Sequence, residues 1–126
     1  MREVELVDLA LAAREKAYAP YSGVFVGAAL LTREGKIFSG ANVENASFAL
    51  TVCAERAAVI KAVNDGCCEF VAIAVAWNKD GFCRPCGACR QVLYEFSPKL
   101  QVYMVNANGE YQKEELKALL PHAFEK

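Results

Sequence analysis

The chain has 126 residues, 55% of them apolar, and its fourteen basic and fifteen acidic side chains leave a formal net charge of −1. That length builds one core and is too short for two, so residues 1–126 read as a single domain. The charge balance carries no basic excess of the kind that tracks a phosphate backbone, and the longest uncharged stretch (17–32) is broken by Pro20, Gly23 and Gly27, so neither a nucleic-acid partner nor a membrane span is expected.

In chain order, Met1-Arg2-Glu3-Val4-Glu5 is charged and lacks the apolar segment of a secretory signal, which points to a cytoplasmic location. Val4, Val7 and Leu11, with Leu6, Ala10, Ala13 and Ala17, recur at spacings of three and four and predict a helix over 3–17. Pro20 and Gly23 place a turn at 18–23. Residues 24–32 read as a strand, Arg33-Glu34-Gly35 as a hairpin turn into 36–40, and 42–47 as a polar irregular loop. A second helix is predicted over 53–64, ended by Asn64-Asp65-Gly66. The near-continuous apolar run 70–77 predicts a strand covered on both faces. Pro85 suits the first position of a third helix that runs to about Phe96, where Ser97-Pro98 stops it. A strand at 100–105, a turn at 106–109 and a short helix at about 113–120 follow, so the order is α-β-β-α-β-α-β with a short β-α tail. The economical packing of this order is a three-layer α/β/α sandwich around one mixed five-stranded sheet.

Six cysteines in so short a chain suggest disulfides or a metal, and without an export signal the metal is the better reading. Cys53-Ala54-Glu55 offers one ligand with a carboxylate two residues on. Pro85-Cys86-Gly87-Ala88-Cys89 offers two more at chelate spacing. Three thiolates leave a fourth position open, as catalytic zinc sites do and structural ones do not. Both groups fall at predicted helix starts, where the unpaired amides and the helix dipole favour thiolate. Arg56 is placed to draw charge off the sulfurs. Glu55 and Cys53, two apart on a regular helix, would point about 200° from one another. They converge only if the site lies off the helix end. Cys83, three residues before Cys86, competes as a fourth ligand, Cys67-Cys68 reads as structural, and His122 as a surface residue.

These pieces, a Cys ligand with a nearby Glu followed by P-C-x-x-C, are the signature of zinc-dependent deaminases of nucleosides and nucleobases. Together with Asn42-Val43-Glu44-Asn45-Ala46, Cys53-Ala54-Glu55-Arg56, Pro85-Cys86-Gly87-Ala88-Cys89-Arg90-Gln91 and the terminal Ala123-Phe124, the chain resembles the small homotetrameric cytidine deaminases. The resemblance implies one Zn²⁺ per chain on Cys53, Cys86 and Cys89, with Arg56 behind them and Glu55 as the proton shuttle. It implies hydrolytic deamination of cytidine and deoxycytidine in pyrimidine salvage, through attack at C4 by zinc-activated water. Asn42 and Glu44 would bind the ribose hydroxyls, Ala46 and Ala54 would offer backbone groups, and Phe124 would reach a neighbouring subunit's site. The implied assembly is a homotetramer with sites at subunit interfaces.

Val24 departs from the family pattern, which has an aromatic there, and Phe25 beside it faces the opposite way if the segment is a strand. Phe48 and Arg84 depart as well. The alternatives are a zinc deaminase acting on another amino-base or nucleoside, and a non-catalytic zinc-stabilised module. The module requires a fourth protein ligand and no role for Glu55.

Overall fold

The computed structural model describes residues 2–126. Helix α1 (Glu3–Ala13) leads into a 3-10 turn (Arg14–Lys16), strand β1 (Val26–Thr32) and strand β2 (Ile37–Ala41). Helix α2 (Ala54–Asn64), β3 (Phe70–Trp77), α3 (Gly87–Phe96), β4 (Gln101–Val105), β5 (Tyr111–Glu115) and the short α4 (Leu116–Leu119) follow. The sheet order is β2-β1-β3-β4-β5. Only the β3–β4 pair is parallel, with α3 as its crossover. The sheet is therefore mixed and five-stranded, as expected.

Side-chain alternation along the central strands separates two cores. Ala72, Ala74 and Ala76 of β3, with Ala29, Tyr103 and Val105, face α1 through Leu6, Val7 and Ala10. Ile73 and Val75, with Ala28, Leu30, Val102 and Met104, face the other way and pack under α2, α3 and α4. Helices thus cover both faces, completing the three layers. Small residues on the strands let the helices come close. A Cβ on Gly27 would lie 2.1 Å from Ala10 O, and one on Gly40 would lie 2.6 Å from Ala54 O and 2.7 Å from Ala58 N. Gly40 therefore seats the start of α2 directly on β2.

Four boundaries differ from expectation by more than one residue, three of them through tertiary hydrogen bonds. The first helix stops short of Ala17, which is extended, because Tyr18 N donates to Asn42 O at 2.9 Å and Tyr18 O accepts from Glu44 N at 2.8 Å. Strand β1 begins at Val26 because the amide side chain of Asn42 takes up Val26 N and Val24 O, each at 2.9 Å. The third helix begins at Gly87, with Pro85 ahead of its N-cap rather than inside the helix. The short helix expected from about residue 113 begins at Leu116; Tyr111–Glu115 instead pair antiparallel with β4. Lys113, Glu114 and Glu115 favour helix, and the open edge of β4 overrides that preference.

Candidate active site

Cys53 is the N-cap of α2 in extended backbone (φ −73°, ψ 153°), and Cys86 is the N-cap of α3 (φ −67°, ψ 167°). Because Cys53 precedes the helix proper, the 200° separation from Glu55 does not arise, and the two side chains share one cleft. Cys89 lies fully buried in the first turn of α3. Cys86 Sγ accepts from Cys89 N at 3.4 Å and sits 3.9 Å from Cys53 Sγ. All three sulfurs lie within 4.8 Å of one another. Sulfurs arranged tetrahedrally at ~2.3 Å from zinc stand about 3.8 Å apart. The donor set and its spacing fit Zn²⁺.

Arg56 Nη2 donates to Cys53 Sγ at 3.3 Å and to Thr51 O at 3.4 Å, while its buried Nε has no hydrogen-bond partner. The contact with Cys89 and then the Arg56 guanidinium bring the Cys53 thiol down to about 5. The same sulfur contact, with burial, pushes Cys89 up.

Glu55 is 4% exposed in the first turn of α2. Burial pushes its carboxyl up to about 7, and the neighbouring Cys53 charge adds to the effect. A carboxyl poised there exchanges protons readily near neutral pH.

The cleft that holds these groups has a volume of about 210 Å³, and Asn42, Thr51, Ala54 and Glu55 line it beside Cys53 and Cys86. Val24, Val26, Trp77, Cys83 and Arg84 line it too. Cys83 stands apart from the three-sulfur group, and burial pushes its thiol up, so it supplies no fourth ligand. Phe25 lines a different depression with Arg14 and Asn78, whereas Val24 lines the cleft; both precede β1, so strand alternation does not set their directions. His122 is exposed and stands outside the sulfur group.

Glu44, Ala46 and Phe124 are not among the cleft-lining residues. Glu44 is buried against the turn before β1, where Oε1 accepts from Tyr21 N (3.0 Å) and Ser22 N (3.2 Å) and Oε2 accepts from Ser22 Oγ. These bonds, the Ser22 hydroxyl first, hold its carboxyl below the ordinary 4.5. Ala46 is exposed in the following loop. Phe124 is 74% exposed, yet its backbone is fixed: Gln91 Nε2 donates to Phe124 O at 3.1 Å, and Phe124 N donates to Gln91 Oε1 at 3.2 Å. Arg90 braces the same helix start, donating through Nε to Pro85 O (2.8 Å) and through Nη1 to Leu119 O (2.7 Å). Arg90 and Gln91 belong to the Pro85–Gln91 motif, and their place directly after Cys89 is the sequence signal for this bracing role.

Residues 1–105 match the family model for the cytidine and deoxycytidylate deaminase zinc-binding region. The chain is 49% identical to the cytidine deaminase of Sporosarcina psychrophila, over 90% of this chain and 85% of that protein. It is also 49% identical to the cytidine deaminase of Halalkalibacterium halodurans, over 94% and 91%. A crystal structure of cytidine deaminase from Burkholderia pseudomallei superposes with a TM-score of 0.94 at 50% identity, over 98% of this chain and all of that one. The three sulfurs and the buried glutamate all lie inside the matched region, and the chain belongs to the cytidine and deoxycytidylate deaminase zinc-binding family.

Proposed function

We propose that this zinc-dependent hydrolase converts cytidine and deoxycytidine, with one water, to uridine and deoxyuridine and ammonia. The observation that carries the reading is the buried Glu55 carboxyl in one cleft with a three-thiolate group at zinc spacing. When bound, Zn²⁺ supplies a Lewis acid at its open position and lowers the pKa of water there toward ~7. Glu55 accepts a proton from the attacking water and delivers it to N3 of the base, which makes C4 electrophilic. Once the water oxygen is bonded to C4, Glu55 takes the second proton of that water from the new hydroxyl and hands it to the exocyclic nitrogen, so that the C4–N bond breaks, ammonia leaves and the C4 carbonyl forms. Arg56 disperses charge from Cys53, so the sulfurs donate less to the metal and leave it the stronger acid.

Asn42 and Glu44 are assigned to the ribose hydroxyls, and Ala46 and Ala54 to backbone contacts with sugar and base. The Asn42 amide keeps one N–H and one lone pair beyond its bonds to Val24 and Val26, and Glu44 retains acceptor capacity beyond its three bonds. Phe124 is assigned to the site of a neighbouring subunit in a homotetramer. Its exposed ring on a fixed backbone supports this, as does the exposure of Phe48 (82%), Leu50 and Ile60 around α2. A reducing cytoplasmic setting suits six free thiols, and pyrimidine salvage suits the products.

Zinc-loaded protein mixed with cytidine should show the ultraviolet change of 4-amino loss. Conversion of neither nucleoside, with zinc bound at one per chain, would overturn the assignment. Sedimentation should give four chains per particle, and a monomer that turns over cytidine at full rate would remove the intersubunit role of Phe124.

A further inference from the structure

Trp77 is the sole tryptophan of the chain and the only aromatic among the residues that line the cleft. It ends β3, its Cα paired with that of Val26 across the β1–β3 ladder. Residues paired across antiparallel strands project to the same face, and Val24, Val26 and Trp77 together make one apolar wall of the cleft. Val24 and Val26 present only small aliphatic groups there. Within this cleft, therefore, the ring face the chain itself can offer a flat base is that of Trp77.

The indole is held rather than loose. Its Nε1 donates to Gly81 O at 2.9 Å, and the Trp77 carbonyl accepts from Arg14 Nη1 at 2.7 Å. One side of the ring packs on the apolar core beneath α2 and α3, and the residue remains only partly buried. The surface it leaves adjoins the cleft that also receives Glu55, Cys53 and Cys86.

We infer that Trp77 is the positioning wall for the pyrimidine ring, setting the base against Glu55 by aromatic contact. The inference rests on the deaminase reading and adds to it the residue that recognises the flat base. Polar hydroxyls of a sugar gain little from such a wall, whereas a pyrimidine gains apolar burial and a favourable ring–ring geometry.

As the sole tryptophan, Trp77 is its own reporter. Cytidine titrated into zinc-loaded Glu55→Gln protein, which binds without turning over, should shift or quench the emission saturably when excitation is beyond the nucleoside's absorption. In steady-state kinetics, Trp77→Leu should raise KM for cytidine by roughly five- to tenfold with kcat and zinc content little changed. Trp77→Phe, which keeps a ring but loses the bond to Gly81 O, should recover most of that loss. Unmoved emission at saturating cytidine, in a preparation whose parent enzyme turns cytidine over, would overturn the inference while leaving the deaminase reading intact. Absence of both turnover and binding in the parent would overturn the two together. Should Trp77→Leu fail to fold or to hold zinc, the emission titration decides alone.

Discussion

Glu3 and Glu55 sit in the first turns of two helices on opposite faces of one sheet, and their carboxyls are shifted in opposite directions. Glu3 accepts from Tyr111 Oη at 2.6 Å and Tyr103 Oη at 3.2 Å, and its carboxyl lies below the ordinary 4.5, with the Tyr111 bond as the leading cause. Among the described residues no phenol donates to Glu55; burial dominates and its carboxyl rises to about 7. The same residue type in the first turn of two helices thus has its carboxyl lowered on the α1 face and raised on the α2 face. Phenol donors make the difference on one side, and an apolar, sulfur-lined cleft makes it on the other.

The strongest tests of that contrast remove the chemistry on the α2 face. Stripping zinc with a chelator should abolish turnover and lower the unfolding midpoint, and both should return when zinc is restored. Retained activity in demonstrably zinc-free protein would break the contrast at its root. Glu55→Gln should keep one zinc per chain while turnover drops about 10²–10⁴-fold, the usual share of a general acid–base group. Glu3→Gln, by comparison, should leave kcat unchanged, and equal losses from the two variants would show that helix position rather than environment matters.

Gly40→Ala forces a Cβ against the backbone of Ala54 and Ala58. Overpacking of this kind costs about 1–3 kcal/mol, measurable by urea unfolding. Because the displaced turn carries Cys53 and Glu55, zinc affinity should fall with stability. A stable variant with full zinc affinity would mean that β2 does not seat α2.

The smallest effect is on the α1 face. Tyr111→Phe should lower stability slightly without touching turnover. The sign with pH follows from the lowered carboxyl of Glu3: its contribution is complete above 4.5 and is lost as pH falls through the folded-state value. The gap in urea midpoint between parent and variant should therefore be full at neutral pH and shrink in acid. A gap that persisted unchanged into strong acid would refute the assignment of Glu3 as a structural anion.

Legibility in the sequence followed how local each signal was. The strand Phe70–Trp77 was read residue for residue, because an apolar run between breakers needs no partner to be recognised. The three zinc ligands were read from residue type and chelate spacing, and the structure brings their sulfurs together. A tail strand is legible in the order of elements but its place is not: Lys113–Glu115 read as helix, because their pairing edge and not their composition makes them strand. Asn42 was read as a ligand for sugar, but its amide also fixes Val24 and Val26, a use that depends on a loop folding back over residues far earlier in the chain. Trp77 stood in full view at the end of a strand, yet nothing local announced that this end opens onto the cleft.

By itself, then, the sequence determined the metal-binding chemistry, the candidate proton carrier and the alternation of helices and strands, since these depend on side-chain identity and short spacing. Only the tertiary structure decided which groups share the cleft, which carboxylate is held as an anion, and where helix gives way to strand. Those outcomes turn on burial and on partners supplied from distant segments, and the free energy of a carboxyl, an indole or a strand edge is set by what surrounds it.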